Sequence, residues 1–321
     1  MSASQETMEG LVESEMHSGG QCVPDRNGFA TALAVRALRH EGRKPGQPML
    51  RVLERCRSAQ GGFGFWPQGL RPAWAPPLPD DADDTAIMAL ELYLAGWLDR
   101  AEARRIACQR IGVRRIARLP VLRPPWLQVG VFATWSRPGA GLDMVDCTVI
   151  TNVLALLATT GLEGIPGARE SLALLDRALD WAGDDEARAS SLSPFYPDAA
   201  EWLPALNNAA ALGAKGLARL HERMQSTPWG QSAQRLYASP EHAICSSPYG
   251  LAVWRSPALS ALRAAMAKQA PQLSEPATQI GCRVRRIERP QPRFGTGEES
   301  DSAPSTRQPT HRIVGLASTK S

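Results

Sequence analysis

Three segments of the chain repeat one plan, in which turn residues and an acid or Asn precede a long apolar stretch that ends near a glycine. These segments cover 27–42, 83–96 and 146–161. The last two align without gaps as Asp-x-Thr-small-Ile, which places Asp146 where Asp83 lies one repeat earlier. A helix that is apolar on all sides has to be buried, so we expect each of the three to be an inner helix.

A more polar stretch with helical character follows each apolar segment, at 48–59, 100–118 and 168–182. A helix pair of this size cannot bury its apolar face alone, so neighbouring pairs have to stack. The pattern then loosens, but 207–224 and 247–270 are also predicted to be helical. Because Ala, Leu and Arg dominate and strand-favouring runs are scarce, the predicted fold class is all-α.

Stacked helix pairs can close into an α/α toroid, which is a barrel of helical hairpins, or stay open as a solenoid. We predict the toroid over residues 21–275, because its closed cavity would give a cluster of acids a function. Residues 1–20 are expected to be a flexible N-terminus, and 276–321, rich in Arg, Pro, Ser and Gly, a disordered tail. This tail holds eight basic and four acidic residues, so it accounts for the net charge of +4 and leaves the rest neutral. We therefore expect no nucleic-acid partner.

Four carboxylates occupy the five positions from Asp80 to Asp84, directly before the second apolar segment. One or two acids would suffice to cap the N-terminus of a helix. Crowded carboxylates tend to hold a proton, because ionising one beside a charged neighbour is unfavourable. A carboxylic acid that keeps its proton near neutral pH can act as a general acid.

The spacing of Asp81, Asp83 and Asp84, followed by Thr85 and Ala86, resembles the Asp-x-Asp-Asp-Thr-Ala motif of class II terpene cyclases, the group that includes squalene–hopene cyclase. The resemblance implies proton-initiated cyclisation of a hydrophobic polyprenyl substrate, an isomerase-type reaction. Asp83 would be the general acid, and Asp81 and Asp84 would hold it through hydrogen bonds. No redox cofactor and no metal site are expected, and Mg²⁺ would help only if the substrate carries a diphosphate.

The turn from Gln60 to Trp66 resembles the Gln–Trp repeat of squalene cyclases and related prenyltransferase-like toroids, and a degenerate copy lies at Gln128 to Trp135. Its glycines permit a tight exit from a helix, and its Trp can cover a helix end while packing between repeats. We interpret these residues mainly as scaffold. Trp66 and Trp135 are also candidates for substrate binding, because aromatic faces stabilise cations. Together the motifs and repeats cover about residues 22–182.

Three further features have two readings each. Asp146 could be a second acid that contacts substrate, although we prefer a helix cap. His242 could tune the acid as a basic partner does in some cyclases, although we prefer a surface loop. The arginines of 100–118 could contact lipid phosphates at a membrane surface or a diphosphate, although we prefer a solvated outer helix.

The six cysteines are scattered, with no Cys-x-x-Cys pair and no nearby His at metal-ligand spacing, so we expect neither a disulfide framework nor a zinc site. The N-terminus is polar and acidic, unlike a signal peptide, and no apolar run approaches the roughly 20 residues of a membrane span. We expect a cytoplasmic protein that associates with a membrane only at its surface.

Two functions remain open from the sequence. The first is a cyclase-like enzyme, and the alternative is a non-catalytic toroid that binds an isoprenoid or a partner protein and keeps the acids as caps. Known class II cyclases place the active site between this toroid and a second helical domain. Because 321 residues are too few for both, the wall of the substrate cavity could come from a second subunit or could be missing.

Overall fold

Helices dominate the computed structural model, which describes residues 9–269 apart from 120, 122, 136–143 and 238. Within these residues there are eleven α-helices and four β-strands. In chain order, the helices are α1 (Gly28–His40), α2 (Gln47–Arg55), α3 (Ala82–Leu94), α4 (Arg100–Ile106), α5 (Cys147–Thr160), α6 (Ala168–Ala182), α7 (Glu186–Ser190), α8 (Trp202–Ala211), α9 (Leu217–Ser226), α10 (Pro228–Tyr237) and α11 (Pro257–Gln269). The strands are β1 (Ser14–Ser18), β2 (Gln21–Asp25), β3 (Ala243–Ser246) and β4 (Val253–Arg255). The tail predicted at 276–321 lies outside the described residues.

The three apolar segments form α1, α3 and α5, and each helix is buried over most of its length. The burial expected of these three helices is therefore confirmed. The helices begin after Asn27, Asp81 and Asp146, whose side chains each accept a backbone N–H of the first turn. These caps correct the sequence alignment, because Asp146 corresponds in position to Asp81 and not to Asp83. The preferred reading of Asp146 as a helix cap is confirmed.

The second helices of the pairs are α2, α4 and α6, and α6 has the predicted bounds. The predicted helix 100–118 is shorter: α4 passes into a π-helical turn, Ala107–Ile111, and the helix stops at Gly112. Beyond Gly112 the chain is no longer helical, and Arg115 pairs with Phe132 in an isolated antiparallel bridge.

The C-terminal helices differ more from the prediction. The segment 207–224 is not one helix, because Gly213 and Gly216 adopt φ values of +85° and +83° between α8 and α9. Left-handed glycines of this kind end one helix and redirect the chain into the next. The segment 247–270 begins with a 3₁₀ turn and strand β4, and only its second half is helical.

A four-stranded antiparallel sheet, in the order β2-β1-β4-β3, is the main departure from the all-α prediction. β1 and β2 form a hairpin, and β1 also pairs with β4, where Glu15 lies opposite Arg255. The expected flexible N-terminus, 1–20, therefore contains a central strand. This pairing joins segments near the two ends of the described chain, which no local pattern indicates.

The inner helices pack in succession, α1 on α3, α3 on α5 and α5 on α8, and α11 returns to pack on α1. None of the helices among the described residues is both long and apolar enough to cross a lipid bilayer.

Candidate functional site

A cavity of about 390 Å³ lies where the first turns of α1, α3 and α5 meet the sheet. Phe29, Asp83 and Val149 line it from the helices, and Met16 and Trp254 line it from β1 and β4. Aromatic rings form much of its wall. No Lys, Arg or His occurs among the described residues that line it.

Asp83 lies in the first turn of α3 and is only 7% exposed. The hydroxyl of Tyr196 donates a hydrogen bond to Oδ2 of Asp83, and Nδ2 of Asn152 donates to Oδ1 at 2.9 Å. Burial raises the pKa of Asp83, while the two hydrogen bonds oppose this rise. The same burial, together with the charge of Asp83, raises the pKa of Tyr196 well above its usual value, so Tyr196 remains a hydrogen-bond donor.

Asp81 and Asp84 stand beside Asp83 but have other roles than predicted. Oδ1 of Asp81 accepts the backbone N–H of Asp84 at 2.8 Å. The pKa of Asp81 is raised to about 8 by desolvation and by the charge of Asp83, although the side chain of Asp81 is only partly buried. Burial and the charge of Asp81 raise the pKa of Asp84 well above its usual value. Oδ1 of Asp84 is buried without a hydrogen-bond partner among the described residues.

The prediction that Asp81 and Asp84 hold Asp83 through hydrogen bonds is thus wrong for the described structure, since Tyr196 and Asn152 hold it. The cluster retains the electrostatic property expected of it, because all three carboxyl groups have raised pKa values.

Asn152 is oriented by a chain of buried polar groups that crosses the inner helices. Nη1 of Arg36 donates to Oδ1 of Asn152 at 3.0 Å, and Nε of Arg36 donates to Glu91 at 3.1 Å. Arg39 donates to both oxygens of Glu91 at 2.8 and 3.0 Å. Because its carbonyl oxygen is taken by Arg36, Asn152 presents its NH₂ group to Asp83.

Both predicted substrate-binding tryptophans line the cavity. Nε1 of Trp66 donates to the buried carboxylate of Asp25 at 2.9 Å, which fixes the indole in the wall. Trp135 packs against Phe195 with ring centroids 5.7 Å apart. Each tryptophan is therefore held in place by a neighbouring residue, as expected of scaffold, and also lines the cavity, as expected of a residue that could contact substrate.

Asp146 is fully buried and is not among the residues that line the cavity. Besides capping α5, it accepts the backbone N–H of Phe195 at 3.0 Å. Burial raises the pKa of Asp146 to about 7, against the opposing effect of this hydrogen bond. Its contribution to the site is to fix the loop that carries Tyr196.

His242 is fully buried, so the preferred reading of a surface histidine is wrong. Its Nε2 lies 2.7 Å from Glu201, which also accepts hydrogen bonds from Arg263 at 2.7 and 3.2 Å. Burial opposes the ionisation of Glu201, but Arg263 and His242 lower its pKa to about 2. Among the described contacts His242 has none with Asp83, so it does not serve as the direct partner considered from the sequence.

Part of the arginine-rich segment has a structural role. Arg100 and Arg104 donate hydrogen bonds to the carbonyl of Thr160 at the C-terminal end of α5. Positive charge at this end complements the helix dipole.

Sequence reasoning missed Tyr196 and Asn152. A signal for Asn152 was present, because it is a polar residue within the apolar stretch of α5. Tyr196 lies in a loop without a comparable pattern. Comparisons of the chain with protein-family models, curated proteins and solved structures find no match, so the function has to be argued from the cavity itself.

Proposed function

We propose that this protein is a class II terpene cyclase-like enzyme, in which Asp83 starts the cyclisation of a polyprenyl substrate by donating a proton. The environment of Asp83 is the observation that carries the proposal. Its carboxyl group is buried, opens into an apolar cavity with aromatic walls, and receives hydrogen bonds from Tyr196 and Asn152.

These contacts suit a carboxylic acid that must protonate an alkene. Burial raises the pKa of Asp83 and so favours the protonated form that a general acid needs. The hydrogen bonds from Tyr196 and Asn152 stabilise the carboxylate that remains once the proton has left, which makes proton transfer easier. An acid in the same cavity without such donors would hold its proton but release it poorly.

The proposed reaction is an isomerisation. The O–H bond of Asp83 breaks as a new C–H bond forms at one alkene carbon, and the other carbon becomes cationic. The next double bond of the chain attacks this cation and forms a ring C–C bond, while aromatic faces such as Trp66 and Trp135 stabilise the charge. A carbon-bound proton finally returns to the carboxylate cluster, so no atom is gained or lost.

The lining of the cavity favours a neutral substrate. A diphosphate would meet Asp81, Asp83 and Asp84, with no Lys, Arg or His among the described lining residues to pair with it. We therefore favour a substrate without a diphosphate. Mg²⁺ would help only a substrate that carries a diphosphate.

The volume of the cavity limits the length of the substrate. A water molecule in the liquid occupies roughly 30 Å³, and at that volume per heavy atom the cavity of about 390 Å³ holds about 13 heavy atoms. This size suits a chain of about 10 to 15 carbons better than one of about 30.

We also propose that the helix pairs close into an α/α toroid. Support comes from the packing of α1, α3, α5 and α8 in succession, from the return of α11 to α1, and from the ion pair between Arg263 of α11 and Glu201 before α8. The sheet then covers the end of the ring at which the inner helices begin. In this arrangement the sheet supplies the wall for which the sequence left two alternatives, a second subunit or no wall at all.

Incubation with neutral linear terpenoids tests the proposal. Purified protein is offered C10 and C15 alkenes and alcohols and squalene, and products are identified by gas chromatography with mass spectrometry. We expect cyclic isomers from the wild type and a loss of about 10²- to 10⁴-fold in Asp83→Asn, the usual contribution of a general acid. Asp80→Asn is the matched control, because Asp80 is half-buried and is not among the residues that line the cavity.

Two results would decide against catalysis by Asp83. Product formation that persists in Asp83→Asn excludes this residue as the acid. Binding of the same chains without turnover, equal in both variants by thermal shift, supports the non-catalytic isoprenoid-binding toroid.

A further inference from the structure

Three potential metal ligands come together on the β1–β2 hairpin, outside the cavity. Nε2 of His17 lies 3.3 Å from Oε2 of Glu15, and Sγ of Cys22 lies 3.5 Å from the same oxygen. Sγ of Cys22 and Nε2 of His17 are 3.7 Å apart. Among the described residues, this is the group of His, Cys, Asp and Glu side chains close enough together to hold a metal ion.

The hairpin places these side chains by its own geometry. His17 and Cys22 are directly opposite each other in the register, next to the turn at Gly19 and Gly20. Both glycines have positive φ, +56° and +79°, as a tight two-residue hairpin turn requires, and this fixes the pairing. Glu15 is two residues before His17, so alternation along the strand puts it on the same face.

This face is separate from the proposed active site. Met16 and Ser18, the alternate residues of β1, line the cavity, whereas Glu15 and His17 do not. Cys22 is exposed, and the other two ligands are partly exposed, so an ion can reach the group from solvent.

The distances between the ligand atoms match those around a tetrahedral zinc ion. Zinc bonds of about 2.3 Å to sulfur, 2.0–2.1 Å to nitrogen and 2.0–2.2 Å to oxygen put tetrahedral ligand atoms roughly 3.4 to 3.6 Å apart. The observed separations of 3.3, 3.5 and 3.7 Å lie within about 0.2 Å of that range. The ligands therefore need almost no rearrangement to bind an ion.

We propose that Glu15, His17 and Cys22 bind Zn²⁺, with the fourth coordination position open to water. The mixture of sulfur, nitrogen and oxygen favours zinc over Mg²⁺ and Ca²⁺, which prefer oxygen ligands alone. No metal site was predicted from the sequence, because His17 and Cys22 belong to no short metal-binding motif and meet only across the hairpin.

The thiol of Cys22 makes zinc binding depend on pH, because sulfur binds zinc as a thiolate. Zinc has to displace the thiol proton, so binding releases a proton and weakens as the pH falls.

Cobalt substitution tests the site in the full-length protein. All measurements use the Cys282→Ser variant, which removes a thiol outside the described residues. The protein is freed of metal and then titrated with Co²⁺, followed by Zn²⁺. We expect one equivalent of Co²⁺ to produce thiolate-to-cobalt charge-transfer absorption, and Zn²⁺ to abolish it. Cys22→Ser should lose this absorption. Cys108→Ser, which removes a half-buried thiol elsewhere, should keep it.

The other two ligands provide independent variants. His17→Ala and Glu15→Gln should each weaken Zn²⁺ binding at least about tenfold in competition with a chromophoric chelator, since even outer-shell partners of metal ligands contribute that much. Far-UV circular dichroism verifies that each variant is folded. Absence of the charge-transfer band, its persistence in Cys22→Ser, or unchanged affinity in both ligand variants would overturn the proposal.

Discussion

Replacing Tyr196 by Phe removes the hydroxyl that donates to Asp83 and leaves the aromatic ring in the cavity wall. A hydrogen bond to a charged group contributes about 1.5–3 kcal/mol. This bond stabilises the carboxylate of Asp83 and not its protonated form, so its loss raises the pKa of Asp83 further. Since about 1.36 kcal/mol changes a rate tenfold, proton transfer should slow by about 10- to 100-fold.

Two measurements on Tyr196→Phe check this reasoning. The titration of Asp83, followed by ¹³C NMR of Asp-labelled protein and assigned with Asp83→Asn, should move to higher pH. Cyclisation of a neutral terpenoid should slow in parallel. Tyr237→Phe is the matched control, because Tyr237 packs over Arg263, with 4.1 Å from the guanidinium to the ring centroid, and is not among the residues that line the cavity. A slower reaction with an unchanged or lower pKa of Asp83 would refute the argument.

Three further predictions concern stability. Arg36→Met leaves Glu91 with one of its two arginine partners, and loss of part of a buried ion pair should lower the free energy of unfolding by about 3 kcal/mol in urea denaturation. The pKa of Asp81 is about 8 in the folded protein against an ordinary value of 3.8, so the folded state binds more protons and its stability falls as the pH rises between these values. Asp81→Asn keeps the cap oxygen and should flatten this fall, by up to about 1.4 kcal/mol per pH unit, in denaturation curves measured from pH 4 to 8. Gly167→Ala introduces a Cβ at φ +100° within 2.9 Å of two side chains, so it should lower the free energy of unfolding by more than about 1 kcal/mol. Gly164→Ala is the control, because its Cβ meets open space. Equal melting temperatures of the two variants would contradict this prediction.

The inner helices were predictable because their signals are local. In α1, α3 and α5 a capping side chain precedes an apolar run, and each observed boundary lies within two residues of the predicted one. Tertiary packing reinforces this local preference, because the runs are buried on all sides.

The sheet and the partners of Asp83 were not predictable in this way. β4 has three residues, and β1 is short and polar, so neither has a strand pattern of its own. Asn152 and Tyr196 reach Asp83 only after α3, α5 and the loop before α8 have packed together. The alignment of Asp146 with Asp83 followed the shared Asp-x-Thr letters, whereas the N-cap position decides which residues correspond.

The three neighbouring carboxyl groups divide into different tasks, which bears on the choice between an enzyme and a binding module. Asp81 alone caps α3, so helix capping explains one acid of the three. Asp84 keeps a buried oxygen without a hydrogen-bond partner among the described residues, and such a group costs about 1–3 kcal/mol of stability. Asp83 is oriented by two donors, one of them held by a buried arginine. A toroid that only bound a neutral chain would gain nothing from two further buried acids at its cavity. An enzyme would gain acids whose protonated forms are favoured, because burial raises the pKa of Asp83 and the charge of Asp83 raises the pKa values of Asp81 and Asp84.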